Sequence, residues 1–254
     1  MLLCVDVGNT QTHLGALDGP RVVASWRIGT NRAATADELA VALIGFSELA
    51  GIERGALSAA SVGSVVPTLG SAYREMCVRH LGIDCMLVEP GIKTGMSILT
   101  DSPRELGADR LINAVAAFDL IAGPCVVVDF GTAITFDAVS ADGEYLGGVI
   151  GPGIAVSIEA LASRAAKLPQ IELVEPDSVI GKTTQESLQS GFVFGFAGAI
   201  DGIAGRIAVE MPPRTEFLAT GGFAPVVVPL SERIDRIEAD LTLQGLRILW
   251  ERNR

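Results

Sequence analysis

The sequence predicts an α/β chain built from two similar lobes. Residues 1–7 and 125–129 are short aliphatic runs that end in an acid and a glycine, as core strands do. Apolar residues recur at helical spacing in 35–49, 112–121 and 233–251. The two strand-like runs lie about half a chain apart in similar surroundings, which favours a duplicated fold over a single sheet.

The composition is that of a folded chain with an acidic surface. Of the 254 residues, 49% are hydrophobic and 19% are charged, and the net charge is -11. A mean hydropathy of +0.43 means that the chain can bury enough apolar surface to fold. The excess of acid argues against broad binding to nucleic acid or anionic membranes, because both need basic surface.

Membrane and disulfide signals are weak in this sequence. No run reaches the roughly 18 to 20 continuous apolar residues that span a bilayer, and the N-terminal apolar run lacks a preceding basic segment. With only two histidines, zinc sites and histidine-based triads have little to work with. We expect a cytoplasmic protein without a membrane partner, and four reduced core cysteines: Cys4, Cys77, Cys85 and Cys125.

Two segments share a hairpin pattern. Residues 4–12 read CVDVGNTQT and residues 127–135 read VVDFGTAIT, and a second strand-like stretch follows each of them. The glycine of Asp-x-Gly permits positive φ and has no Cβ, so backbone N–H groups can turn toward an anion. Either segment alone is better explained as an ordinary β-turn. Two matching hairpins favour phosphate binding.

Polar side chains beside the two turns suit the same chemistry. Asp6 and Asp129 can hold a hydrated cation near phosphate oxygens. The neighbouring hydroxyl and amide groups can donate hydrogen bonds to those oxygens. These groups belong to Asn9, Thr10, Thr12, Thr132 and Thr135.

Two rival phosphate loops fit poorly. The GKT run at 181–183 imitates the end of a P-loop, but Pro176 stands where the first glycine belongs. The GPG run at 151–153 lacks the third glycine of a dinucleotide fingerprint, since Val156 occupies that place. We predict neither a P-loop nor a Rossmann site.

A third motif, ELGADR at 105–110, precedes the helix predicted over 112–121. Gly107 is a suitable N-cap, which places Asp109 and Arg110 in the first turn. Asp109 there is explained either by the helix dipole or as a base. An arginine at the positive end of a helix is unfavourable and is easier to explain as a clamp for a carboxylate or phosphate. A kinase for an anionic alcohol needs such a pair.

Two further turns have both a structural and a functional interpretation. Thr183 and Glu186 form a predicted capping box, which leaves Thr184 at the first helical position, where it can meet a polar ligand. The TGG run at 220–222 follows a strand-like segment and is an ordinary strand–helix turn or a bare surface for an adenine ring.

In their order and spacing, these motifs resemble the type III pantothenate kinases, which belong to the superfamily of actin, hexokinase and acetate kinase. The resemblance runs over nearly the whole chain. It rests on DVGNT at 6–10, GADR at 107–110, DFGTA at 129–133, GG at 147–148 with GPG at 151–153, GKTT at 181–184, the segment 187–191 and TGG at 220–222.

The resemblance implies a fold and an activity. The fold would be a duplicated actin-like (ribonuclease H-like) kinase with an N-terminal lobe over 1–115, a C-terminal lobe over 116–254 and nucleotide in the interlobe cleft. The activity would be phosphorylation of pantothenate by ATP to 4'-phosphopantothenate, the first step of coenzyme A synthesis. ATP would act with Mg²⁺, and a homodimer would share the substrate site across its interface.

The family pattern also carries site residues over to this sequence. Asp109 matches the proton acceptor, and Asp129 matches the ligand of a monovalent cation, K⁺ or NH₄⁺. Thr184 matches a substrate contact offered by the neighbouring subunit. The ATP-binding positions are Asp6, Val7, Gly8, Asn9, Thr10, Gln11, Thr12, His13 and Thr132. The pantothenate-binding positions are Gly107, Ala108, Asp109, Arg110 and Thr184.

Two other functions stay open at this point. One is a different actin-like phosphotransferase that acts on a sugar, acetate or polyphosphate, although a neutral sugar would give Arg110 no anion to bind. The other is a non-catalytic regulator that binds nucleotide. The presence of Asp109 beside two phosphate hairpins counts against that regulator.

Overall fold

The computed structural model of the protein describes residues 1–53, 55–165, 168–169 and 171–254. The chain divides into two compact units. The first unit comprises Met1–Ser97, Asp101–Ala116 and Asp240–Arg254, and the second comprises Ile98–Thr100 and Ala117–Ala239.

A mixed five-stranded sheet organises the first unit, in the order β3-β2-β1-β4-β5. The pairs β1–β2 and β2–β3 are antiparallel, whereas β1–β4 and β4–β5 are parallel. Leu3, Val5 and Val7 alternate along β1 into a buried core. The strands are β1 (Leu2–Val7), β2 (Gln11–Asp18), β3 (Arg21–Gly29), β4 (Ala59–Ser64) and β5 (Asp84–Leu87).

The second unit repeats this arrangement with its own sheet, in the order β10-β9-β6-β7-β8. Again the first two pairings along the chain are antiparallel, and the remaining ones are parallel. The strands are β6 (Cys125–Phe130), β7 (Ala133–Val139), β8 (Tyr145–Pro152), β9 (Glu216–Thr220) and β10 (Arg236–Ile237). The predicted α/β class and the predicted duplication are confirmed.

Helices and short helical turns connect these strands. The predicted helix over 35–49 begins at Ala36, because Thr35 caps it: the Glu38 N–H donates to Thr35 Oγ1 (3.3 Å), and the Thr35 N–H donates to Glu38 Oε2 (2.8 Å). A π-helical turn occupies Cys77–Leu81. The helices are α1 (Ala36–Leu49), α2 (Pro67–Met76), α3 (Ala108–Ile121), α4 (Ile154–Arg164), α5 (Thr184–Glu210), α6 (Ala224–Val227) and α7 (Leu241–Asn253).

The last helix begins later than the sequence predicts. Apolar spacing indicated a helix over 233–251, but α7 begins at Leu241 and the segment before it forms β10. Backbone pairing with β9 explains the difference, since the Glu238 N–H donates to the Ala219 carbonyl oxygen (2.7 Å) and the Asp235 N–H to the Phe217 carbonyl oxygen (2.9 Å). These bonds hold residues 235–238 against β9, and a turn at 239–240 then leads into α7.

Helix α7 packs within the first unit. The Thr242 hydroxyl donates to Asn113 Oδ1 (2.7 Å) in a buried contact with α3. One turn further on, the Gly245 backbone lies against Ile112 of α3. The structure therefore groups residues 240–254 with the first unit, whereas the lobes 1–115 and 116–254 themselves stay a prediction.

Within the described part of the chain, α5 alone is long and apolar enough to cross a membrane by length and composition. Only 22% of its most apolar window is buried. A helix at a protein–protein interface passes the same test, so this is weak evidence for a membrane span.

We expect Gly245→Ala to destabilise the protein. A Cβ at this position would lie 2.6 Å from Ile112 Cγ2 and closer still to the Ile112 carbonyl oxygen. Overpacking of this kind costs ~1–3 kcal/mol, and urea unfolding would measure the loss. Gly45→Ala in α1 is the matched control, because nothing lies within 4 Å of its Cβ position. At that position alanine gains ~0.5–1 kcal/mol of helix propensity over glycine. The free energy of unfolding should therefore fall in Gly245→Ala and rise in Gly45→Ala.

Candidate active site

The first Asp-x-Gly segment forms the predicted hairpin between β1 and β2. Asp6 stands directly opposite His13 in the ladder, so their side chains share one face of the sheet. The Gly8 N–H donates to the Gln11 carbonyl oxygen (3.0 Å), and a Cβ at Gly8 would lie 2.8 Å from that oxygen. The turn therefore requires glycine. Its tip, formed by Asn9 and Thr10, is exposed.

The second Asp-x-Gly segment also forms a hairpin, between β6 and β7, but its turn is one residue shorter: three residues separate Phe130 from Ile134, where four separate Val7 from Thr12. Asp129 stands opposite Thr135, and the Gly131 N–H donates to the Ala133 carbonyl oxygen (3.1 Å). The exposed Thr132 is held from behind, since its carbonyl oxygen accepts the Gly153 N–H (3.2 Å) and a Cβ at Gly153 would overlap that oxygen. The GPG run at 151–153 thus supports this hairpin.

A buried carboxylate backs the second hairpin. Asp137, on β7, is fully buried and accepts hydrogen bonds from the Thr135 hydroxyl (3.0 Å) and from the Tyr145 hydroxyl (2.7 Å). The first bond directs the Thr135 proton away from Asp129, which stands across the ladder. Sequence reasoning missed Asp137. Its only signal was an acid at a core position of a strand, two residues after a candidate threonine.

Asp129 lies against a turn that has no side chain. Gly221, which follows β9, has φ +93°, and a Cβ there would lie 2.6 Å from Asp129 Oδ1 and 2.7 Å from the Phe130 nitrogen. Only glycine allows the turn to pack this closely against Asp129 and Phe130. Asp129 supplies a hard oxygen of the kind that binds cations. Among the described residues, no group of three or more His, Cys, Asp and Glu could hold a metal, so a cation at Asp129 would need other oxygens.

The first turn of α3 carries the predicted acid and arginine. The Leu111 N–H donates to the Gly107 carbonyl oxygen (3.1 Å), which confirms that Gly107 caps the helix. Asp109 Oδ1 accepts the Arg110 N–H (2.9 Å) and would lie 2.5 Å from a Cβ at Gly107. This bond fixes the Asp109 side chain and also makes it complement the helix N-terminus. Both interpretations of Asp109 are therefore compatible with the geometry.

The start of α5 confirms the predicted capping box. The Glu186 N–H donates to Thr183 Oγ1 (3.1 Å), and Glu186 Oε2 accepts the N–H groups of Thr183 (3.2 Å) and Lys182 (2.7 Å). Gly181 lies so close to the backbone of Ser187 that a Cβ would overlap it. Thr184 is exposed at the first helical position, as predicted.

The first hairpin carries no titratable cation at neutral pH. Burial, with a further contribution from Arg27, lowers the pKa of His13 to about 4, so its imidazole is neutral. Thr12 beside it is also buried. Backbone amides and neutral donors therefore define this turn.

The candidate residues belong to both units. The first unit holds the hairpin residues 6–13 and the helix start at 107–110. The second unit holds Asp129, Thr132 and Thr184, together with the glycine turn at 220–222. In each unit the residues lie at strand or helix ends, where the sequence placed them.

The sequence is similar to known proteins of one family. A sequence model of the family "Type III pantothenate kinase" matches residues 2–206. A type III pantothenate kinase from Streptomyces coelicolor is 53% identical over 100% of this chain and 98% of its own length. One from Anaeromyxobacter sp. (strain K) is 50% identical over 100% of both chains.

Solved structures share the fold at low identity. A Baf family transcriptional activator from Campylobacter jejuni has a TM-score of 0.60 and 19% identity over 99% of this chain and 98% of its own. A ROK family glucokinase from Streptomyces griseus has a TM-score of 0.53 and 14% identity over 96% of this chain and 97% of its own. They support the two-lobe kinase fold alone. On the family model and the full-length relatives, this chain belongs to the type III pantothenate kinase family.

Proposed function

We propose that this protein is an enzyme that phosphorylates pantothenate with ATP to give 4'-phosphopantothenate, the opening step of coenzyme A synthesis. The observation that carries the proposal is the Asp109–Arg110 helix start in a chain that also has two Asp-x-Gly hairpins, one in each sheet. Membership of the family supports the same reaction. We also propose a cytoplasmic location, since buried thiols such as Cys4 and Cys125 suit a reducing compartment.

The two hairpins are the proposed phosphate-binding elements. Residues 6–13 and Thr132 would donate backbone and hydroxyl hydrogen bonds to the ATP phosphates. The glycine turn at 220–222 would border the adenosine, because nothing lies within 4 Å of the Cβ position of Gly222. Mg²⁺ would accompany the phosphates and neutralise their charge, with Asp6 as the nearest proposed carboxylate.

Asp109 and Arg110 have separate proposed roles. Arg110 would bind the carboxylate of pantothenate, which a guanidinium matches in geometry and charge. Asp109 would accept the proton of the primary hydroxyl of pantothenate. The hydroxyl oxygen would form a bond to the γ-phosphorus of ATP while the bond between that phosphorus and the leaving ADP breaks. Phosphoryl transfer depends mainly on positioning and charge neutralisation, so a carboxylate held by the Arg110 N–H is a sufficient base.

Replacement of Asp109 by asparagine tests the proton acceptor. The amide oxygen of the new side chain can still accept the Arg110 N–H, so Asp109→Asn should keep the local geometry and lower kcat by ~10² to 10⁴. Steady-state assays with a circular-dichroism check of folding measure this. Near-normal turnover in the folded variant would reduce Asp109 to a residue that complements the helix dipole.

Asp129 is the proposed ligand of a monovalent cation, K⁺ or NH₄⁺. Its carboxylate offers a hard oxygen ligand of the kind that such an ion prefers. Bound there, the cation would supply positive charge near the phosphates. The Thr135 hydroxyl, which donates to Asp137, keeps its oxygen lone pairs available on the Asp129 face.

Salt dependence tests this cation. Activity should rise with K⁺ or NH₄⁺ and change little with Na⁺ at equal ionic strength, and Asp129→Asn should remove the difference between salts. Initial rates in the three chlorides measure this. Equal rates for the wild type in all three would contradict a selective cation site.

We propose a homodimer that uses α5 as its interface. A glycine inside a helix costs ~1 kcal/mol relative to alanine, yet α5 has glycines at 191, 195 and 198 with nothing within 4 Å of their Cβ positions. All three lie on its exposed side. Close approach of a helix from a second copy explains why side chains are missing there, and the low burial of α5 supports the same conclusion.

Thr184, at the start of α5, would then reach the substrate of the neighbouring subunit. Thr184→Ala should raise KM for pantothenate ~10-fold, the effect of one lost hydrogen bond of ~1.4 kcal/mol, with little change in KM for ATP. Hybrid dimers with an Asp109→Asn subunit sharpen the test. The hybrid pairs one Thr184→Ala subunit with one Asp109→Asn subunit. If the sites are shared, one site combines both defects and the other has neither, so kcat/KM per hybrid should approach half of wild type.

If each site were built from one subunit, the same hybrid would retain only about a twentieth of wild-type kcat/KM, since its one working site carries the Thr184→Ala defect. Hybrids of Asp109→Asn with wild type are the control, because both arrangements predict half activity for them. A fully active monomer by size exclusion would contradict the dimer.

The remaining functions are tested by acceptor choice. ATP consumption should require pantothenate and should not rise with acetate or glucose. Consumption with a sugar would favour a different phosphotransferase of this fold. ATP binding without turnover of any acceptor would favour the regulator.

A further inference from the structure

The segment after β3 holds the first hairpin from outside. The Thr30 hydroxyl donates to the Gly8 carbonyl oxygen (2.8 Å), and the Thr30 N–H donates to the Thr10 carbonyl oxygen (2.9 Å). Thr30 thus binds two carbonyl groups of the turn, although it lies 22 residues from Gly8 in the sequence.

These two bonds fix the direction of the amide groups in the turn. In a trans peptide the C=O and the following N–H point in opposite directions. Because the Gly8 and Thr10 carbonyls face Thr30, the N–H groups of Asn9 and Gln11 point away from it. Thr30 therefore aims amide donors outward from the turn, as phosphate binding requires.

A buried hydroxyl group supports Thr30 from the core. Thr12 Oγ1 lies 2.9 Å from Thr30 Oγ1. Thr30 gives its only hydroxyl proton to the Gly8 carbonyl oxygen, so Thr12 must donate to Thr30. Thr12 is buried, so this contact holds Thr30 from the protein side of the turn.

Two residues further on, an exposed arginine lies at the tip of the same turn. Arg32 Nη2 donates to Asn9 Oδ1 (3.0 Å). This bond occupies one N–H of a guanidinium that has several others in a planar fork suited to phosphate. His13 is neutral, and Arg27 lies opposite it along β2 and β3, so Arg32 is the arginine that reaches the tip of the turn.

We propose that Thr30 and Arg32 are two further determinants of ATP binding: Thr30 is a positioning residue that aims the amides of the first hairpin, and Arg32 binds the phosphates. The proposal rests on the proposed function, which assigns this hairpin to ATP. It adds a neighbouring segment of the chain, outside the residues 6–13, to the phosphate site.

Thr30 is tested by an isosteric pair. Thr30→Val removes the hydroxyl, whereas Thr30→Ser keeps it. Thr30→Val should weaken ATP binding and raise KM for ATP ~10-fold, with KM for pantothenate unchanged. In Thr30→Ser, the ATP affinity and KM for ATP should stay within ~2-fold of wild type. A purely structural role would not separate the two KM values. Equal ATP affinity in the valine and serine variants would overturn the positioning role.

Arg32 is tested against an arginine at the other end of β3. Arg32→Gln should weaken ATP binding ~5- to 10-fold and leave adenosine binding unchanged, since only phosphates contact the guanidinium. Arg21→Gln is the matched control, because Arg21 is exposed at the start of β3 and lies at the end remote from the turn. Titration calorimetry without pantothenate measures the affinity of each of these two variants for ATP and for adenosine. An Arg32→Gln protein that binds ATP as Arg21→Gln does would overturn the phosphate role.

Calorimetry also separates this proposal from the reaction. If the wild type binds ATP but does not phosphorylate pantothenate, the proposed function fails, while the Thr30 and Arg32 effects on ATP affinity still decide the inference. If the wild type turns over pantothenate and all variants bind ATP equally, the inference alone fails. No ATP binding by the wild type would overturn both.

Discussion

The tight turn after each strand-terminal aspartate is the constraint on which the rest of each sheet depends. Gly8 and Gly131 let the chain reverse at once, so the next strand returns antiparallel beside the first. The opposite side of the first strand is then available for parallel strands that arrive after helical connections. As a result, each hairpin tip lies at the carboxyl end of the parallel strands, the edge where α/β sheets bind ligands. The glycine turn after β9 reaches the same edge of its sheet, against Asp129.

Local chemistry made much of this predictable from sequence. The Asp-x-Gly turns, the Gly107 cap and the Thr183–Glu186 box are signals contained within a few residues, and the structure confirms each of them as local structure. The repeat of the Asp-x-Gly hairpin predicted the duplication, because a tight turn after the first strand of each unit places the next strand antiparallel beside it. The chemical roles of these residues were supplied by the family resemblance, since an ordinary β-turn uses the same residue types.

Features that depend on distant contacts were not predictable in this way. The sequence shows Asp137 only as an acid in a core strand, and the structure adds that Tyr145 and Thr135 donate to it. The sequence shows Thr30 only as a polar residue after a strand, and the structure adds its bond to the Gly8 carbonyl oxygen. The segment before α7 has helical spacing, yet a two-residue pairing with β9 overrides it. In each case the deciding partner lies on another strand or turn, and periodicity along one segment carries no information about it.

The acidic charge of the chain is compatible with two anionic substrates because the relevant field is local. At physiological ionic strength, charges more than ~8 Å away from a phosphate are largely screened. In the proposed site, the oriented amides at the hairpin tips and the guanidiniums of Arg110 and Arg32 would act within that distance of the anions. Burial removes the charge of His13, so in this proposal the first hairpin would act through its backbone dipoles and through Arg32, which hydrogen-bonds its tip. A net charge of -11 therefore affects solubility and encounter more than it affects the affinity of the site.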